Sequence, residues 1–246
     1  MHGTTIRGGG HLHEFTKEGT ARGREMFERA VALDPTHSQA FADLAWTYAR
    51  DLMLEHTSDR ERSMAKLYEA AQRAVALDDA SSSAHHLLST AYIWRNEIDL
   101  AIAEGRRAVE LNPNDADSLH ALGNKLDLAG DPEGIGMMEQ AQRLNPQDPQ
   151  RHMHLSLLAR AYLNVRQYDK SVECARRAVQ RRPDYPHAHY ILAIGLGHLD
   201  QSEAARSALS ECERLHPGFR VEWRPYADKQ NNKHLEEGLR KAGLPE

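Results

Sequence analysis

A chain of 246 residues can bury a sizeable core in one or two domains, and 40% hydrophobic with 27% charged residues excludes an intrinsically disordered one. The formal net charge of −5, with no dense lysine or arginine tract, argues against a nucleic-acid partner. No apolar run is long enough to span a bilayer, and the first residues lack the apolar core of a signal peptide, so the chain reads as cytoplasmic, with no membrane partner.

Aromatics make up only 6% of the residues, so the core must come mainly from alanine and leucine, which suits helices. At the start of the chain, Gly8, Gly9 and Gly10 each cost about 1 kcal/mol relative to alanine inside a helix. Residues 1–14 are therefore expected to be frayed, a degenerate first helix. A helical stack without its terminal cap exposes an apolar face, which leaves an upstream segment or a second copy to cover it. Self-association through this N-terminal end is one expectation.

From there one phrase recurs: a small residue, an aliphatic pair, then Asp or Asn, usually followed by Pro. It appears as Ala30-Val31-Ala32-Leu33-Asp34-Pro35, Ala74-Val75-Ala76-Leu77-Asp78-Asp79, Ala108-Val109-Glu110-Leu111-Asn112-Pro113 and Ala141-Gln142-Arg143-Leu144-Asn145-Pro146. Weaker copies end at Pro183 and Pro217, and the end points are spaced 44, 34, 33, 37 and 34 residues apart. Proline cannot continue a helix and biases its predecessor away from helical angles, so each end point closes a helix. Between end points, apolar residues recur at helical spacing in two runs separated by a short polar turn. His85, Leu88, Ser89 and Tyr92 mark the face of one first helix, and Asn96 is placed to cap a second helix burying Leu100, Ala101 and Ala108. Asp131-Pro132 reads as an N-cap followed by proline at the first helical position, and Ser58 with Glu61 and Asp200 with Glu203 have capping-box spacing.

The second repeat carries roughly ten extra residues near Asp51–Asp59, which predicts a longer, projecting helix pair with a restart after Ser58. Arg176, Arg177, Arg181 and Arg182 lie within two turns and read as a solvated helix end favoured by the dipole. Cys174 and Cys212, each between small apolar residues, read as buried thiols. After Pro217, Phe219, Val221 and Trp223 can fold back, Pro225 breaks the helix, and a last helix from about Asn232 to Ala242 turns Leu235 and Leu239 inward, with Gly243 as its C-cap. The expected organisation is a frayed segment at 1–14, a solenoid at 15–217 and a capping segment at 218–246.

Two antiparallel helices per 34 residues resemble the tetratricopeptide repeat family. The matching first-helix positions are Phe41, Leu44, Ala45 and Tyr48; His85, Leu88, Ser89 and Tyr92; and Leu155, Leu158, Ala159 and Tyr162. Leu119, Leu122, Gly123 and Leu126, and His189, Leu192, Ala193 and Leu196, are degenerate copies. The resemblance implies an all-α, right-handed superhelical solenoid of about six repeats closed by a C-terminal capping helix. Residues 235–246 further resemble the closing segment of repeat modules in bacterial signalling proteins, where such a solenoid follows a class III nucleotide cyclase or a winged-helix domain. Neither of those domains is present here.

No chemistry announces itself. Phosphate-loop, nucleophile-elbow and zinc-helix motifs are missing, so no catalytic residue, cofactor or metal is expected. The pairs His11/His13, His152/His154 and His187/His189 are spaced i, i+2, which points them to different sides of a helix, whereas helical zinc sites use i, i+4. His85 and His189 occupy the bulky packing position of the repeat. What remains is the concave groove lined by first helices. The resemblance implies groove-facing positions at Trp46, Ala49 and Arg50; His86, Thr90, Ile93 and Trp94; and His120, Asn124, Asp127 and Leu128. Later repeats add Ser156, Arg160, Leu163 and Asn164, then Tyr190, Ile194 and His198. Aromatics and arginine anchor interfaces, so the expected partner is a protein or peptide. Asn124 and Arg160 are only a fragment of the family's carboxylate-clamp pattern.

Overall fold

The computed structural model describes residues 16–219 and 229–243. The glycine-broken segment at 1–14 and the expected packing of Val221, Trp223 and Pro225 lie outside the described residues. Those described form twelve α-helices and no strand. In chain order these are α1 (Lys17–Leu33), α2 (Ser38–Met53), α3 (Arg60–Leu77), α4 (Ser82–Trp94), α5 (Ile98–Leu111), α6 (Ala116–Leu128), α7 (Glu133–Leu144), α8 (Arg151–Asn164), α9 (Tyr168–Arg181), α10 (Pro186–His198), α11 (Ser202–Leu215) and α12 (Lys229–Lys241). The fold is all-α, with consecutive helices packed as antiparallel pairs. It divides into two compact units, Met1–Pro113 and Asn114–Glu246.

The two kinds of turn follow two kinds of local chemistry. Each recurrent phrase ends a helix where expected, with extended backbone at Asp34, Asp78 and Asn112 and a turn immediately after. After these three the next helix starts on a side-chain cap. His37 Nδ1 accepts from Ala40 N at 3.2 Å, Ser81 Oγ from Ala84 N at 3.3 Å, and Asp115 Oδ2 from Ser118 N at 3.1 Å.

Within each pair the turn is different. Glu55, Asn96, Gly130, Arg166 and Asp200 all sit at positive φ, between 54° and 83°. Each is followed by an amide that donates back to a carbonyl five residues earlier: His56 to Asp51 at 2.9 Å, Glu97 to Tyr92 at 2.9 Å, Asp131 to Leu126 at 2.8 Å, Gln167 to Tyr162 at 2.9 Å and Gln201 to Leu196 at 3.0 Å. This is the Schellman closure of a helix by a left-handed residue. Three sequence expectations are corrected by it. Asn96 and Asp200 close the preceding helix and do not cap the following one, because a left-handed residue cannot hold the extended N-cap geometry. The cap of α3 is Asp59, accepting from Arg62 N at 2.9 Å, one residue after the predicted Ser58. At Asp131 the carboxylate accepts from Glu133 N at 2.9 Å, but α7 begins at Glu133, so Pro132 and not Asp131 stands at its N-cap position.

Small residues set the spacing inside pairs. Ala45, Ala71, Ala101, Ala108, Ala159, Ala175, Ala178 and Ala205 are all 0% exposed. α6 and α7 touch backbone to backbone, since a Cβ on Gly134 would stand 2.3 Å from the Gly123 carbonyl oxygen. In the first unit, α2 and α3 have 16 and 18 residues against 13 and 14 for α4 and α5, so the inserted residues do lengthen a helix pair. In the second unit, α12 packs on α10 and buries Leu235 and Leu239, and Gly243 closes it at φ +94°. Both cysteines are free and buried. His85 and His189 are buried, bonding the carbonyls of Asp79 and Pro183 at 2.9 and 2.8 Å, as packing residues should.

Candidate binding surface on the first helices

In the first unit the candidate side chains come from α2 and α4, which pack directly on one another. His86, Thr90 and Trp94 stand one helical turn apart on α4, all half-buried, and Thr90 Oγ1 is tied back to the His86 carbonyl at 3.0 Å. Trp46 and Trp94 are both half-buried against the cluster containing Leu44, Leu52, Leu87 and Leu88. That leaves part of each indole at the surface and fixes the rest. The Arg60 guanidinium sits 4.8 Å from the Trp94 ring, a cation–π contact that the sequence did not suggest because it joins α3 to α4. Arg50 is not at the surface: only 2% is exposed, and burial pushes its pKa down. Beside it Asp51 pairs with Arg24, whose guanidinium also lies 4.8 Å from the Tyr48 ring.

In the second unit α6 and α8 bring together four of the expected residues. Asp127 Oδ2 accepts from Arg160 Nε at 3.0 Å and Nη2 at 2.8 Å, while its Oδ1 accepts from Asn164 Nδ2 at 2.7 Å. Arg160 Nη2 also donates to Asn124 Oδ1 at 2.7 Å. The Arg160 and Asp127 side chains are 11% and 6% exposed. Arg160 is therefore held on an internal carboxylate.

The other expected groove residues of this unit are drawn inward. His120 is buried with its ring stacked 3.7 Å from His154, and burial together with His154 holds it well below the ordinary imidazole range. Tyr190 is 2% exposed and packs edge-on to Phe219 at 5.6 Å, so it belongs to the core. His198 stacks on both Tyr168 and His234, at 4.5 and 4.0 Å. Of the eighteen expected groove positions, Ala49, Arg50, His120, Asp127, Leu128, Ser156, Leu163, Tyr190 and Ile194 are buried. The remainder are half-buried: Trp46, His86, Thr90, Ile93 and Trp94 in the first unit, and Asn124, Arg160, Asn164 and His198 in the second, where the Asp127 network and the ring contacts of His198 engage them.

Among the described residues no three His, Cys, Asp or Glu side chains are grouped as a metal would require, and no helix is long and apolar enough to cross a membrane.

The family model described as "Tetratricopeptide repeat" matches residues 155–185, most of α8, all of α9 and the turn that follows. No curated protein matches the chain in sequence. Among solved structures, a chain of the APC/C hetero-tetramer Cut9-Hcn1 is 17% identical with TM-score 0.70, the match covering 89% of this chain and 39% of that one. The pilF protein of Pseudomonas aeruginosa is 17% identical with TM-score 0.62, covering 83% and 86%. YrrB, described as a TPR protein with an unusual peptide-binding site, is 16% identical with TM-score 0.56, covering 87% and 99%. At these identities the likeness is one of fold. The chain has the fold of tetratricopeptide repeat proteins and spans well under half of the Cut9-Hcn1 chain it matches.

Proposed function

We propose that the chain is a non-catalytic scaffold that binds a peptide or partner protein on its first-helix surface, with the first unit as the anchoring part. The observation that carries this is the strip of Trp46, His86, Thr90 and Trp94. It offers two indoles already immobilised by core packing, so a ligand can bury them at little further entropic cost. YrrB supplies a precedent on the same fold for a peptide ligand.

The test compares proteins retained by immobilised wild type, by Trp46→Ala/Trp94→Ala and by Arg160→Ala, with helicity checked by circular dichroism. Retained partners are then titrated directly. Loss of a partner with the tryptophan variant alone supports the reading. Capture unchanged by the tryptophan variant refutes it.

A narrower reading is that the scaffold regulates a bacterial signalling protein, a nucleotide cyclase or transcriptional regulator, by contacting its effector domain. The wording of residues 235–246 favours it, since Leu235 and Leu239 pack as a closing segment should. A cyclase or winged-helix domain among the directly titrated partners supports it, and the absence of both refutes it.

A further inference from the structure

Histidines recur at successive junctions between first helices of the second unit. His120 and His154 stack at 3.7 Å between α6 and α8, Ser156 Oγ and His187 Nδ1 lie 2.7 Å apart between α8 and α10, and His198 and His234 stack at 4.0 Å between α10 and α12. The last junction is the most elaborate. Tyr168 of α9 lies flat on His198, 4.5 Å away at an interplanar angle of 9°, and its hydroxyl shares a hydrogen bond with His234 Nε2 at 3.1 Å. His198 Nε2 donates to the His234 backbone carbonyl at 2.9 Å. Beside this stack the helices meet without side chains between them: a Cβ on Gly197 would stand 2.2 Å from the Gly238 carbonyl oxygen, and one on Gly238 would stand 2.8 Å from the His198 ring. So tight a crossing has no room to relax if the rings move apart.

We propose that the Tyr168–His198–His234 stack is an acid-sensitive latch that holds α12 on α10 while both imidazoles are neutral and releases it when they take up protons. Two imidazolium rings at 4.0 Å would repel one another at the contact that fixes the helix. The Tyr168 hydroxyl, which shares a hydrogen bond with His234 Nε2, could then only accept, because both nitrogens of an imidazolium are donors.

The charged groups around the stack are few. Arg166, just before α9, disfavours protonation of both rings; Glu237 of α12 favours it; Lys241 disfavours it at His198 and is itself held by Asp200 at 3.2 Å. Burial is the largest influence on both rings, and the net effect keeps each below its ordinary value of 6.5. The sign follows. Once α12 is released, the imidazoles of His198 and His234 bind protons more readily than when it is docked. Docking is therefore fully present above pH 6.5 and is lost as pH falls below it. Each proton taken up weakens docking by at most about tenfold per pH unit.

The neighbouring junctions are set to yield later. Burial and Arg160 push His187 to about 3, and burial together with His154 holds His120 well below the ordinary imidazole range.

Hydrogen–deuterium exchange on the whole chain tests this. Amides of residues 233–243 are compared with those of α4 at about pH 7.5 and about pH 5.5, after correction for intrinsic rates. The expected result is a loss of protection in α12 of about tenfold or more, with α4 unchanged, and a loss below about twofold in His198→Gln/His234→Gln. Equal protection of α12 at both pH values, or an undiminished loss in the double variant, overturns the latch. Should that variant fail to fold, the wild-type ring signals of His198 and His234, titrated by NMR, still decide. Both midpoints below 6.5 support the latch, and either at or above 6.5 overturns it.

Discussion

Replacing Arg160 by alanine gives the sharpest quantitative test of how the second unit is held together. The substitution removes two hydrogen bonds to Asp127 Oδ2, at 3.0 and 2.8 Å, and one to Asn124 at 2.7 Å. It leaves a carboxylate only 6% exposed with Asn164 as its one remaining partner among those described. A buried charge stripped of its partner costs about 3–5 kcal/mol, far above the about 0–1 kcal/mol of a surface ion pair. Asp127→Ala strands the guanidinium and should fall in the same range. Asp127→Leu/Arg160→Met removes both charges and should cost much less than the two alanine variants together, because the penalty belongs to the uncompensated charge. Urea unfolding followed by circular dichroism at 222 nm measures all four proteins. The cost should survive high salt, since a buried pair is poorly screened. An Arg160→Ala cost below about 1 kcal/mol, or one abolished by salt, would refute the reading of this network as a buried, structural ion pair.

Two further substitutions probe the same unit. Gly134→Ala drives a methyl group into the Gly123 carbonyl and should destabilise, whereas Gly136→Ala meets nothing within 4 Å and should stabilise by up to about 1 kcal/mol; equal effects in thermal unfolding would contradict the close crossing of α6 and α7. Lys125 is 4% exposed and its ammonium is pushed down to about 7 by burial. The unfolded chain therefore binds a proton that the folded one releases between about pH 7 and 10.5, and stability rises with pH across that window. Lys125→Met should stabilise by roughly 1–3 kcal/mol below pH 7, a gain that shrinks as pH is raised; a pH-independent difference in urea midpoints would show that the lysine is not penalised by burial.

Sequence alone determined the elements and their pairing. The recurrent phrase ending at Pro35, Asp79, Pro113, Pro146, Pro183 and Pro217 placed the helix ends, because proline and the extended residue before it act locally. The alanines at 0% exposure and the inward Leu235 and Leu239 followed from helical periodicity, which is equally local. The turns inside pairs are ambiguous in sequence at Asn96 and Asp200: a polar residue between helices suits either a left-handed closure or an N-cap, and only the backbone path decides between them.

The candidate surface was legible in the same divided way. Position in the repeat picked out residues of the first helices, but not whether a neighbouring first helix would cover them. That depended on side chains more than thirty residues apart, such as Arg160 closing over Asp127 and His154 over His120. Tertiary structure alone turned Arg160 inward, buried Tyr190 against Phe219 and left Trp46 and Trp94 half-open, because burial is a property of helices stacked in space and not of any one helix.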